Sequence, residues 1–270
     1  MQLDNKTVIV TGASSGIGAA AAVMFAAEGA NVVLSARREA LLDLLVARII
    51  QNNGSAVSMA GDVRDEGSAA RLVELANSAF GGLDGAFNNA GIMGDVGPVP
   101  DMAPENWHDV IATNLTSAFF AAKHQIPAMK RRGGGSILFT SSFVGHTNGG
   151  MPGMGAYAAS KAGLIGLAQS LSSEHGVDGI RANTLLPGGT MTAMAGDDAD
   201  VHRSQLFGIA FSHQRPKRFQ KMLISFSHAP TAGLRTNVSR RRRSTHEPSV
   251  GPSSSQNCRR VGRNSAWLIA

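Results

Sequence analysis

Short runs of apolar and β-branched residues alternate along the chain with longer stretches in which apolar positions recur every three or four residues. The runs at Thr7–Val10, Asn31–Ser35, Ala56–Ala60, Gly85–Asn88, Ser136–Thr140 and Arg181–Leu185 predict strands. The stretches Ile17–Glu28, Glu39–Asn52, Glu66–Phe80, Pro104–Arg131 and Ala156–His175 predict helices. Strand and helix in repeated alternation predict an α/β fold: a doubly wound parallel sheet with helices on both faces and a ligand crevice at the carboxyl ends of its strands. Gly29 and Gly54 fall where helices end and are expected to act as their C-terminal caps.

The first strand ends in Thr11-Gly12-Ala13-Ser14-Ser15-Gly16-Ile17-Gly18, and a helix follows at once. Glycines there let the backbone approach a pyrophosphate, whose charge sits at the positive end of the helix. A plain tight turn would use the same residues. The position between the first strand and the first helix favours a dinucleotide site made by Gly12, Ser14, Ser15, Gly16, Ile17 and Gly18. At the end of the second strand, where an acid would hold a ribose 2′-hydroxyl, the chain has Arg37 and Arg38. Two arginines suit a 2′-phosphate and favour NADP; as merely solvated charges they leave NAD open. Asp62 and Val63 close the third strand, and Asn88, Asn89, Ala90 and Gly91 close the fourth, where they are placed to line an adenine and ribose slot. The asparagine pair reads equally well as turn residues.

Tyr157 is the only tyrosine, and Lys161 lies four residues beyond it. On a helix both side chains share one face. A phenol ionises near pH 10 when free, and an ammonium beside it is expected to draw that value toward neutrality, making a usable acid. Taken alone, the spacing is common on helices.

Taken together, Thr11-Gly12-x-x-x-Gly16-x-Gly18, Asp62-Val63, Asn88-Asn89-Ala90-Gly91, Asn114, Ser142, Tyr157-x-x-x-Lys161 and Pro187-Gly188 resemble, in order, the motifs of the classical short-chain dehydrogenase/reductase family. The resemblance covers about residues 5–195. It implies a Rossmann-like fold in three layers, α/β/α, and hydride exchange between NADP(H) or NAD(H) and a ketone, secondary alcohol or sugar alcohol. Tyr157 would then be the general acid/base, and Lys161 would lower its pKa and hold the nicotinamide ribose. Ser142, rather than the competing Ser141, would bond the substrate oxygen, and Asn114 would hold a water leading from Lys161 to solvent. Pro187, Gly188 and a threonine, Thr190 or the better-spaced Thr192, would meet the nicotinamide. Met151 and Met154, in the glycine-rich loop before Tyr157, would form an apolar wall. The family also implies a homo-oligomer.

Charge divides the chain unevenly. Residues 201–270 carry 13 of the 25 Lys and Arg and one of the 19 acids, so they hold +12 while the first 200 residues hold −6. In the tail the family motifs stop: no lid helix and no final Val-Asp-Gly-Gly strand is recognisable. Residues 1–195 are therefore expected to form the catalytic domain. Residues 196–270 read as a divergent basic tail, either disordered or the product of a shifted reading frame, in which case another frame of the coding DNA restores the missing strand. Loss of that strand and lid would expose the sixth strand, weaken assembly and impair turnover. Two other functions remain open: a non-catalytic dinucleotide-binding remnant, and, less favoured, a nucleic-acid binder acting through the arginine runs. The single cysteine, Cys258, excludes an internal disulfide framework and a cysteine-built metal site, and no metal is expected. No membrane span or signal segment is read, so the expected location is the cytoplasm, with a small carbonyl or alcohol compound as the partner.

Overall fold

The computed structural model describes residues 1–146 and 151–190. Thr192, residues 147–150 of the loop before Tyr157, and everything expected of the tail lie outside the described residues. The described elements are β1 (Thr7–Thr11), α1 (Gly16–Ala27), β2 (Asn31–Ala36), α2 (Glu39–Gln51), β3 (Ser55–Ala60), α3 (Glu66–Phe80), β4 (Gly85–Asn88), α4 (Pro104–Ile111), α5 (Ser117–Arg131), β5 (Gly135–Thr140), α6 (Gly155–His175) and β6 (Ile180–Leu185). All strand pairs are parallel, and the order across the sheet is β3-β2-β1-β4-β5-β6. The chain winds outward from β1 to β3, then returns past β1 to β4. The β1–β4 junction is therefore the switch point at which such sheets open a crevice.

Successive residues of a strand face opposite sides of the sheet, and both sides here are covered. Val8 and Val10 of β1 pack with Val32, Leu34, Phe25 and Phe87 on the α1 and α2 side. Ile9 turns to the other side with Val33, Ile137, Phe139 and residues of α3, α5 and α6. Phe25 and Phe87 meet edge to face at 6.2 Å, both fully buried. Burial of each such side chain is worth about 1.5–3 kcal/mol, and the ring contact adds about 1 kcal/mol. Helix α3 starts where Asp65 accepts hydrogen bonds from the backbone N–H groups of Gly67 and Ser68.

Two local expectations are corrected. The predicted helix 104–131 is one rod, but Ala112–Thr116 forms a π turn between α4 and α5. At the end of α2 the left-handed residue is Asn53 (φ 60°), not Gly54. An asparagine tolerates that conformation, and Gly54 serves instead for room: a Cβ there would lie 2.7 Å from Ile49. Gly29, with φ +90°, ends α1 as expected.

Candidate active site

The side of the crevice where the sequence predicts the dinucleotide is built on the ends of β1 and β2. Gly12 has φ +64°, and a Cβ there would lie 2.9 Å from the backbone of Ala90. A Cβ on Gly18 would strike the Gly12 carbonyl and stand 2.7 Å from Asn89 Nδ2. Both glycines thus let two backbone segments meet where any side chain would part them. Replacement of Gly18 by alanine is expected to weaken dinucleotide binding at least tenfold, about 1.4 kcal/mol, in a fluorescence titration with NADPH.

Helix α1 has no side-chain cap and no acid in its first turn. Its free N–H groups, beside Gly16 and Ile17, therefore fit a phosphate, the group that the glycine turn predicts. The Ser14 and Ser15 hydroxyls do not cap the helix. Both accept from Arg38 Nη2, at 2.9 and 3.0 Å, so the guanidinium spans from the end of β2 to the glycine turn. Across the crevice, Arg64 grips Asp62 through Nε and Nη2 and reaches Asp109 of α4 with Nη1 at 3.1 Å. These Arg64 hydrogen bonds, with a smaller contribution from the charge of Arg37, hold the Asp62 carboxyl below the usual carboxylate range. Asp62, Val63, Ala90 and Asn114 line a common small cavity with Thr11, Ser117 and Gln125.

Asn88 and Asn89 are more than turn residues. Asn89 donates from its backbone to Thr11 Oγ1 at 3.0 Å and from Nδ2 to the Thr11 carbonyl at 3.3 Å, and its Oδ1 accepts from Thr140 Oγ1 at 3.0 Å. One amide thereby joins the ends of β1, β4 and β5. Asn88 points the other way and exchanges two hydrogen bonds, of 2.9 and 3.0 Å, with buried Gln125. Gln125 and Thr140 carry no sequence signal by themselves, since their partners lie tens of residues away.

The predicted catalytic residues lie at the end of β5 and on α6. Ser141 donates to the Lys161 carbonyl at 2.7 Å and is used up in the fold. Ser142 caps the short 3₁₀ turn Phe143–Gly145 and lies near enough to the Tyr157 phenol to act on its ionisation. Lys161 is buried; its Nζ donates to the Thr140 carbonyl at 2.8 Å and lies 5.4 Å from the centre of the Tyr157 ring. Ammonium and phenol thus share one helix face, but the expected downward pull on Tyr157 is not what this geometry gives. Burial raises the Tyr157 pKa, with the nearby Ser142 hydroxyl opposing it, and burial pushes Lys161 down to about 8. Desolvation outweighs attraction because Nζ spends its bond on a carbonyl and stands over the ring rather than at the oxygen.

Asn114 sits in the π turn, 2 % exposed. Its Oδ1 accepts from Ile92 N at 2.8 Å, and its Nδ2 donates to Ile92 O at 2.9 Å and to Ser160 Oγ at 3.0 Å. Ser160 Oγ in turn donates to the Tyr157 carbonyl at 2.7 Å. Both N–H bonds of the Asn114 amide are therefore taken by protein, which leaves its side chain no donor for the expected water. Gly91 brings these groups together: a Cβ on it would lie 3.1 Å from Asn114 Oδ1 and 3.2 Å from Lys161 Nζ. Pro187 accepts from Phe143 N at 3.5 Å, holding the turn after β6 beside Ser142. Thr190 folds back onto the Gly188 carbonyl at 3.1 Å and is exposed. Among the described residues no cluster of His, Cys, Asp and Glu is arranged to hold a metal, and no helix is long and apolar enough to cross a membrane.

Known proteins are similar to this chain in both sequence and fold. The chain is 33% identical over 208 residues to cyclohexanol dehydrogenase of an Acinetobacter species, covering 77% of this chain and 82% of that protein. It is 38% identical over 193 residues to 2,5-dichloro-2,5-cyclohexadiene-1,4-diol dehydrogenase of Sphingobium indicum, covering 71% of this chain and 75% of the relative. A crystal structure described as a putative short-chain alcohol dehydrogenase from Sinorhizobium meliloti superimposes with TM-score 0.70 at 36% identity, over 75% of this chain and 79% of the other. The sequence profile of the short chain dehydrogenases matches residues 6–202. With that match over most of its length, and with a six-stranded Rossmann-like sheet to carry the motifs, the chain belongs to the short-chain dehydrogenase/reductase family of oxidoreductases.

Proposed function

We propose that the chain moves hydride between NADP(H) and a secondary alcohol or ketone, using residues 1–195 as its catalytic domain. The observation that carries this reading is buried Lys161, its Nζ 5.4 Å from the centre of the Tyr157 ring and bonded to the Thr140 carbonyl at the carboxyl end of β5, with Ser142 near the phenol. A bound nicotinamide supplies the hydride acceptor or donor. Tyr157 exchanges the proton of the substrate oxygen, and Ser142 holds that oxygen and the phenol in one geometry. Lys161, charged below about pH 8, stabilises the phenolate that takes the proton when alcohol is oxidised and that is left behind when a ketone is reduced. Asn114 and Ser160 fix the backbone on both sides of this group. The dehydrogenase names of the relatives, one acting on cyclohexanol and one on a cyclohexadiene diol, support an alcohol on a carbon ring.

The choice of NADP over NAD rests on Arg38, which stands over the Ser14–Ser15 turn with its neighbour Arg37 close enough to act on Asp62. Purified protein is expected to reduce NADP with cyclohexanol, seen as nicotinamide absorbance. In the Arg38→Ala variant the NADP Kd is expected to rise about 10–100-fold, as loss of a charged hydrogen bond predicts, while NAD binding changes less than about threefold. Equal loss for both dinucleotides would remove the 2′-phosphate assignment; cofactor binding without turnover of any alcohol would favour the non-catalytic remnant.

A further inference from the structure

Between β4 and α4 the chain runs through residues 91–98 without helix or strand, yet three pins hold it. Asn114 reads both the N–H and the carbonyl of Ile92. Asn106, earlier on the same rod, repeats the device on Asp95: its Oδ1 accepts from Asp95 N at 2.9 Å, and its Nδ2 donates to Asp95 O at 3.2 Å. Gly97 N donates to the Gly153 carbonyl at 3.1 Å, tying this loop to the segment that leads into α6. Gly94 makes room for the second pin. It has φ +75°, and a Cβ on it would lie 2.5 Å from Asn106 Oδ1 and against Val110.

The pinned loop presents apolar groups beside the start of the helix that bears Tyr157. A Cβ on Gly153 would lie 2.8 Å from Val96 Cγ1, and one on Gly155 would lie 3.1 Å from Val99 Cγ2 and 3.6 Å from Met102 Cε. Val96 and Val99 are nevertheless 60% and 70% exposed. A lone exposed valine needs no explanation; two on a loop fixed at three points beside the proposed acid do. From Val96 to Pro100 every residue is apolar or glycine.

We infer that residues 96–102 form a preset apolar wall that selects alicyclic secondary alcohols and ketones against polyols, and that Asn106 is the positioning residue that sets it. The inference deepens the oxidoreductase reading and rests on it. A saturated ring buries its carbons against the two valines, whereas the extra hydroxyls of a sugar alcohol would leave water without finding partners there. Fixing the loop beforehand spares the complex the entropy of ordering it.

The test uses the full chain with NADP and three probes: cyclohexanol, 2-propanol and a hexitol. Asn106→Ala is expected to raise the KM for cyclohexanol about tenfold while NADPH affinity stays within about twofold, and Val99→Thr, similar in shape but polar, to lower the cyclohexanol to 2-propanol ratio of kcat/KM about fivefold. Hydrogen exchange followed by mass spectrometry is expected to show residues 92–97 exchanging faster in Asn106→Ala. An unchanged probe ratio in both variants, or wild-type preference for the hexitol, overturns the wall. If the unmodified chain oxidises none of the three, the oxidoreductase reading fails. Unchanged exchange at residues 92–97 overturns the Asn106 pin whatever the turnover.

Discussion

The Tyr157→Phe protein is expected to turn over about 10²–10⁴ times more slowly than the unmodified chain, the usual worth of a positioned proton donor, with NADPH affinity within about threefold. The contrast follows from where the hydroxyl is spent. It lies near Ser142, while the glycine turn, Arg38 and Asn89, proposed to shape the dinucleotide site, stand on other elements. Initial rates and a fluorescence titration on the same preparation check both halves. Retention of the full rate would sink the acid/base assignment. Because burial holds the phenol above its ordinary value of 10, carbonyl reduction, which needs the protonated form, is favoured near neutral pH; alcohol oxidation is expected to speed up as the medium becomes alkaline.

Lys161→Met is expected to lose turnover on a comparable scale and also to change how stability depends on pH. Lys161 ionises near pH 8 in the fold against 10.5 for a free lysine. Between those values the unfolded chain binds more protons than the native one, so native stability rises with pH across the window. Below pH 8 the full cost of the buried charge is present, about 3 kcal/mol by this difference. Tyr157 works in the opposite sense, but only once a free phenol begins to ionise, near pH 10. Thermal unfolding of both proteins without cofactor, from pH 7.5 to 10, is therefore expected to show the wild type gaining roughly 5–10 °C relative to the methionine variant. Parallel curves would mean that the ammonium is not desolvated in this fold.

Much of this was legible in residues alone, for physical reasons. Strands covered on both faces write themselves as apolar runs, and glycines mark the close turn between the first strand and the first helix. Tyr157 and Lys161 are four apart, a spacing that a helix turns into a shared face. What stayed hidden depends on depth and distance. The direction of the Tyr157 shift is set by burial, which the spacing does not encode. The clasp of Asn89 on Thr11 and Thr140 joins residues 78 and 51 apart in the chain. The π turn Ala-Thr-Asn-Leu-Thr has no compositional mark, and it sets the Asn114 side chain against the Ile92 backbone.

That turn has a consequence for how the rod can vary. A regular α-helix keeps one phase along its length, so a face aimed at the loop after β4 would drift steadily away from any second target. The wider turn at Ala112–Thr116 resets the phase once. Upstream of it, Asn106 and Val110 address the loop; downstream, Ala118, Ala122 and Met129 address the sheet. The two halves are thereby free to change sequence separately, but not length. Removing a single residue from the turn would heal the helix into a more regular one and swing the loop-facing residues out of register with the sheet-facing ones.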